Sequence, residues 1–182
     1  MADWHDYLDK AAAFHGHLCS GQVLGIRMCL KGLSLLGLGP DDNLRDLMIF
    51  LETDRCMADA AIVVTGVTAG RRRLKFKDYG KAAMSFLDLA TDRAVRVAAN
   101  SEPHPGRDLK DAVGFWEAYS DDQILSWQNI RITIPPEDRP GRPLRRVPCQ
   151  QCGEDVLDGR DAEIDGRVLC KACAGQAYYT LA

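Results

Sequence analysis

With 182 residues the chain exceeds one typical domain of about 150 without reaching two, and its 46% hydrophobic content is enough for a sizeable core. A net charge of −3 and a pI of 5.8 argue against bulk nucleic-acid binding, and no apolar run approaches the roughly 20 residues of a membrane span. The start, Met1-Ala2-Asp3-Trp4-His5-Asp6, carries acids in place of an apolar signal core, so the chain reads as soluble and cytoplasmic; its seven cysteines then point to metal or reactive thiols instead of disulfides.

In chain order, Trp4, Tyr7, Leu8, Ala11 and Ala12 recur at helical spacing and predict an amphipathic helix over 3–13. A donor-rich turn follows, in which His15, His17 and Cys19 stand two residues apart. Any one of them alone is explained as well by a glycine-rich connection with a buried cysteine; the three together favour a site, because imidazole and thiolate are the donors that borderline-soft metals prefer. Ser20 to Leu36 reads as a second helix whose Gly21 and Gly25 allow close packing, stopped by Gly37, Gly39 and Pro40. Residues 46–53 suit a strand, leading through a tight turn to a helix that begins at Cys56. A thiol there meets free backbone N–H groups that lower its pKa, while burial would raise it, and a plain core cysteine is an equal alternative.

Thr65-Gly66-Val67-Thr68-Ala69-Gly70 is a small-residue loop without a phosphate-loop ending. Arg71-Arg72-Arg73, Lys75, Lys77 and Lys81 make the most basic run, read as a solvated face or, less simply, as a guide for a carboxylate or phosphate. Leu74–Phe76 is a short strand, and Asp78-Tyr79-Gly80-Lys81 a turn. Residues 82–89 and 93–98 form a strand pair, although the first is alanine-rich enough for a helix. A helix is expected over 107–118, a short one capped at Asp121-Asp122, and a half-buried strand over 127–134 from the alternation of Ile130, Ile132 and Ile134. About five strands and five helices that do not alternate regularly make an α+β core over 1–134. A proline- and arginine-rich linker is expected over 135–148.

The tail, 149–182, carries the strongest single signal. Cys149-x-x-Cys152 and Cys170-x-x-Cys173 lie seventeen residues apart, the spacing of a structural four-cysteine zinc site. A knuckle, a hairpin turning at Asp165-Gly166 and a closing helix describe a treble-clef finger. So short a tail cannot bury enough core alone, so the metal supplies its folding energy. Redox-active thiols are the lesser reading.

The set His15-Gly-His17-x-Cys19-x-Gly21, Gly25-x-Arg27, Cys56-x-x-Asp59-Ala60, Thr65-Gly66-x-Thr68-x-Gly70 and Asp78-Tyr79-Gly80-Lys81 resembles the FmdE-like family of formylmethanofuran dehydrogenase proteins over about residues 10–134. The tail resembles that family's optional C-terminal finger. The resemblance implies an α+β core with a five-stranded mixed sheet, described as thioredoxin-like, a metal-binding site in it, a homodimer, and association with molybdenum or tungsten enzymes. It implies no known reaction.

Within that frame, His17, Cys19 and Cys56 are the expected ligands of a second ion, zinc or another transition metal, with an open fourth position. His15 is an outer partner or alternative ligand, and Asp59 accepts a ligand proton. Cys19, Cys56, Tyr79 and Lys81 are the catalytic candidates, the last two for proton transfer or for holding a small anionic substrate. The apolar helix 20–36 is the candidate dimer face. Three functional classes stay open: a metal-dependent enzyme or accessory of one-carbon or molybdoenzyme metabolism, a non-catalytic zinc-finger interaction or regulatory protein, and a thiol redox protein if Cys19 and Cys56 meet in space.

Overall fold

The structure, a computed structural model, describes residues 2–106 and 109–180. Two compact units divide the chain, Met1–Thr133 and Ile134–Ala182. Among the described residues no helix is long and apolar enough to cross a membrane.

The first unit opens with a 3-10 turn, Trp4–Tyr7, that runs into α1, Leu8–His15. The expected helix over 3–13 therefore extends two residues further and takes His15 into its last turn. Gly16 closes α1 in the left-handed region (φ 93°), its N–H bonded to Ala12 O at 2.9 Å. Then α2, Ser20–Leu36, forms over the expected residues and is closed by Gly37 at φ 76°.

Strand β1 (Leu47–Leu51) is followed by α3 (Met57–Thr65) and β2 (Leu74–Phe76), which returns parallel to β1. β3 (Ala83–Asp88) and β4 (Arg93–Ala99) add antiparallel neighbours, so the alanine-rich segment is a strand. Two short helices, α4 (Ala112–Glu117) and α5 (Asp121–Ile124), lead into β5 (Leu125–Ile130). The first two residues of the helix expected over 107–118 lie outside the described residues. The resulting five-stranded mixed sheet has the order β2-β1-β3-β4-β5, which makes the unit α+β.

The last strand lies earlier than the isoleucine alternation predicts. Ile130 pairs with Ala94, one residue from the start of β4, so the ladder runs out there. Ile132 follows the sheet, and Ile134 already begins the second unit.

Leu47, Ile49, Leu51, Met84, Phe86, Val95 and Val97 share one buried cluster with α2 and α3. Most of α2 is buried in that cluster, from Gln22 to Cys29 and at Gly32, Leu33 and Leu36. Its apolar surface is spent inside the core, so α2 is not a free face for a second copy. Gly25 allows its closest approach to α3: a Cβ there would stand 2.8 Å from Ala60 Cβ and 2.9 Å from Met57 Cα.

Arg27, buried on α2, ties this helix to α4 and α5. Its guanidinium donates to Trp116 O (2.6 Å), Tyr119 O (2.8 Å) and Asp121 Oδ1 (2.8 Å), so three planar donors close the carbonyl end of α4. The Trp116 indole N–H returns the tie to Ser20 Oγ at 2.8 Å.

In the second unit β6 (Arg146–Pro148) pairs with β7 (Asp155–Leu157), and β8 (Asp161–Ile164) with β9 (Arg167–Cys170). Asp165 and Gly166, both at positive φ, make the expected hairpin turn. A helical turn, Ala172–Gln176, follows and is broken at Gly175. Part of the segment expected as linker is ordered within this unit. Arg160 donates to Asp138 (2.7 Å), Leu144 N–H donates to Asp158 Oδ1 (2.8 Å), and residues 146–148 form β6.

Candidate metal centres

In the core, the end of α1, the reversal at Gly16 and the start of α2 place His15, His17 and Cys19 on one short bend. Cys19 is the N-cap of α2, in extended backbone (φ −131°, ψ 164°). One donor atom from each of the three residues lies within 4.8 Å of the other two. His15 Nδ1 lies 2.7 Å from Asp59 Oδ2, on the first turn of α3. That contact fixes the imidazole tautomer and leaves Nε2 as the basic nitrogen. The His15 and His17 rings are 4.9 Å apart. His15 is half-buried and His17 exposed, so the bend opens to solvent.

Cys56 is the N-cap of α3, as its sequence position predicts. It meets Cys19. A Cβ on Gly21 would stand 3.2 Å from Cys56 Cβ, 3.8 Å from its sulfur and 3.9 Å from that of Cys19. The Cys56 thiol is pushed up, first by burial and then by the neighbouring Cys19 sulfur, so the helix N-terminus does not win here. His15, Asp54, Arg55, Cys56, Asp59 and Phe76 line a cleft of about 410 Å³.

The structure thus groups His15, His17 and Cys19 most tightly, with Cys56 against Cys19 and Asp59 behind His15. Tyr79 and Lys81 are not brought to this cluster. Both are exposed, their backbone N–H groups donate to Glu52 O (2.9 and 3.0 Å), and neither lines the cleft. Asp78 and Gly80 of the same turn line a neighbouring cleft with Thr53, Asp54 and Arg55. Arg55 and Phe76 escape a reading of the sequence, since neither belongs to a donor motif. Cys29 is fully buried with its sulfur 3.5 Å from Met84 Sδ, and burial keeps it a protonated core thiol.

In the second unit the sulfurs of Cys149, Cys152, Cys170 and Cys173 all lie within 4.8 Å of one another. Gly153, at φ 77°, turns the first knuckle and donates to Cys149 O at 2.9 Å. Cys173 N–H points at Cys170 Sγ (3.4 Å). Cys149, faced by the N–H groups of Cys152 and Cys170, falls to about 6, whereas Cys173, crowded first by the Cys170 sulfur, rises to about 12. Four crowded sulfurs cannot all ionise alone; a dication at their centre removes that conflict. Cys149 packs with Val156 and Leu169, a core too small to hold the unit without such a ligand.

Fold and donors together define an α+β metal-ligand domain joined to a four-cysteine zinc finger. The family model described as "FmdE, Molybdenum formylmethanofuran dehydrogenase operon" matches residues 14–126, and the chain belongs to this family. A prokaryotic dksA/traR C4-type zinc-finger model matches residues 142–179. The crystal structure of an FmdE-like protein of tungsten formylmethanofuran dehydrogenase from Syntrophus aciditrophicus is similar, with 25% identity, a TM-score of 0.66, and coverage of 98% of this chain and 96% of that one. A probable S-adenosyl-L-methionine-binding protein of Archaeoglobus fulgidus is 29% identical over 93% of this chain. The chain spans about half of that relative's length, 52%.

Proposed function

We propose that the core holds a catalytic or ligand-binding transition metal through His15, His17 and Cys19, with Cys56 as a further donor, and that the protein serves formylmethanofuran-type one-carbon or molybdoenzyme metabolism as an accessory or metal-dependent enzyme. The observation that carries this is the meeting of three soft donors beside an open cleft, with a carboxylate already placed on His15. The donor chemistry fits zinc and similar ions, and Gly21 leaves the space in which Cys19 and Cys56 approach. Such an ion, when bound, polarises an oxygen of whatever enters the cleft.

The chain's own groups do the rest. Asp59 holds the His15 Nδ1 proton and orients the ring. Arg55, exposed at the cleft, draws in a small carboxylate or phosphate. Phe76 forms an apolar wall. Tyr79 and Lys81 contribute charge and protons no closer than the adjoining turn. Asp59→Asn should weaken core metal affinity 10- to 100-fold with the fold kept; an unchanged affinity would remove Asp59 from this role.

The order β2-β1-β3-β4, with β3 antiparallel to its two neighbours, supports a thioredoxin-like description of the sheet. The Asp165-Gly166 hairpin and closing turn support a treble clef around a structural zinc. A homodimer through the core accords with the family, and the edge strand β5, with Trp127 exposed, is a more available surface for it than α2. A single monomeric species in sedimentation at micromolar concentration would exclude it.

The contact between Cys19 and Cys56 favours one competing reading, dithiol redox chemistry. It requires that mild oxidation link these two cysteines in metal-loaded protein; protection of both by bound metal speaks for the first reading.

A further inference from the structure

Gln22 is completely buried, yet neither the oxygen nor the nitrogen of its carboxamide has a hydrogen-bond partner. An amide buried with both ends unpaired costs free energy that a leucine or methionine of similar volume would not incur. Gln22 is the third residue of α2, counted from the Cys19 N-cap. A glutamine there ordinarily reaches back to the N-cap backbone. Gln123 does so in this chain, its Oε1 accepting from Ser120 N–H at 2.8 Å. Gln22 makes no such bond with Cys19.

Helical side chains lean toward their own N-terminus. The Gln22 side chain therefore lies over the turn that carries Cys19, and its burial turns it inward. On one side of that turn Gly21 faces the Cys19 and Cys56 sulfurs; on another Trp116 is bonded to Ser20. What satisfies Gln22 must offer an acceptor to its NH₂ and a donor to its oxygen at once.

We propose that Gln22 binds the amide group of a small ligand entering the core donor cluster. A carbonyl and an N–H on neighbouring atoms pair with both ends of the carboxamide, and a carboxylate, which only accepts, does not. The inference rests on the reading of that cluster as a metal and ligand site. It assigns the buried end of the site to an amide and leaves Arg55 for an anionic group at the open end.

The test uses ¹⁵N-labelled full-length protein loaded with zinc, and the same protein exchanged with cobalt(II). Formamide is the probe and acetate the control. The Gln22 side-chain NH₂ signals are assigned by their absence in Gln22→Leu, with Gln22→Met as a second variant should leucine fail to fold. Formamide should shift these signals and the cobalt absorption, acetate should leave the NH₂ pair in place, and either variant should weaken the formamide response of the cobalt about tenfold. The four-thiolate finger is saturated and does not respond to either probe. NH₂ signals indifferent to formamide, with higher thermal stability in the variants, would make Gln22 a water-satisfied core residue and overturn the proposal. A chain that takes up cobalt only in the finger would instead overturn the metal reading itself.

Discussion

Replacing Gly25 by alanine should destabilise the first unit by about 2 kcal/mol, although alanine is the better helix former. The propensity gain inside a helix is about 1 kcal/mol. Against it, the new Cβ would stand 2.8 Å from Ala60 Cβ and 2.9 Å from Met57 Cα. Ordinary carbon contacts lie at about 3.5–4.0 Å, so α2 and α3 must part by most of an ångström. Overpacking of this kind costs about 1–3 kcal/mol, and here the upper end applies because one obstacle is backbone and cannot rotate away. Gly21→Ala is the matched control. Its nearest contact, Cys56 Cβ at 3.2 Å, needs only a few tenths of an ångström of adjustment, so its stability should stay within about 0.5 kcal/mol of wild type. Urea unfolding followed by far-ultraviolet circular dichroism reads both from the transition midpoints. A Gly25→Ala protein as stable as wild type, or a Gly21→Ala protein equally damaged, would refute the argument from close approach.

Cys170→Ala should unfold residues 149–180 and leave the first unit folded, seen as new protease cuts confined to the tail; a tail that stays resistant would contradict metal-dependent folding. His5, hydrogen-bonded first to Asp3 (2.6 Å) and then to Glu117 (2.7 Å), is raised above 6.5. The tie it makes is therefore fully present below about pH 6.5 and lost as pH rises through the folded pKa, and an NMR titration of its ring should show a midpoint above 6.5 that falls in Glu117→Gln. Glu52 is held below 4.5, chiefly by Arg96, whose Nε and Nη2 donate at 2.6 and 2.7 Å. Its contribution is present above about pH 4.5 and lost as pH falls through the folded value, so wild type should lose stability there more steeply than Glu52→Gln, which should already be weaker at neutral pH by roughly 2 kcal/mol.

What the sequence discloses follows what is local. The span of α2 is written in its apolar run and its Gly37 stop, and the finger in its two cysteine pairs. The bend with His15, His17 and Cys19 is visible because its donors are neighbours in the chain. The change in the ligand set comes from helix length: the period of α1 continues through His15, which directs this ring toward Asp59, a partner 44 residues away. The thiol of Cys56 shows the limit of a dipole argument, since burial against Cys19 outweighs it and depends on how closely Gly21 lets the helices approach. Arg27 stands within a motif, but its work of closing α4 depends on carbonyls about 90 residues on. Gln22 gives no signal at all, because an unpaired amide is a property of the packed interior. The isoleucine alternation misplaces β5 because periodicity does not register where β4 ends.

Two metals in two chemically different sites leave a simple stoichiometric signature, read as zinc content per chain after equilibration and desalting. Wild type should carry about two equivalents, and His17→Ala and Cys19→Ala about one each, with the finger unchanged in both. One equivalent in wild type, or two in both variants, would contradict the core site.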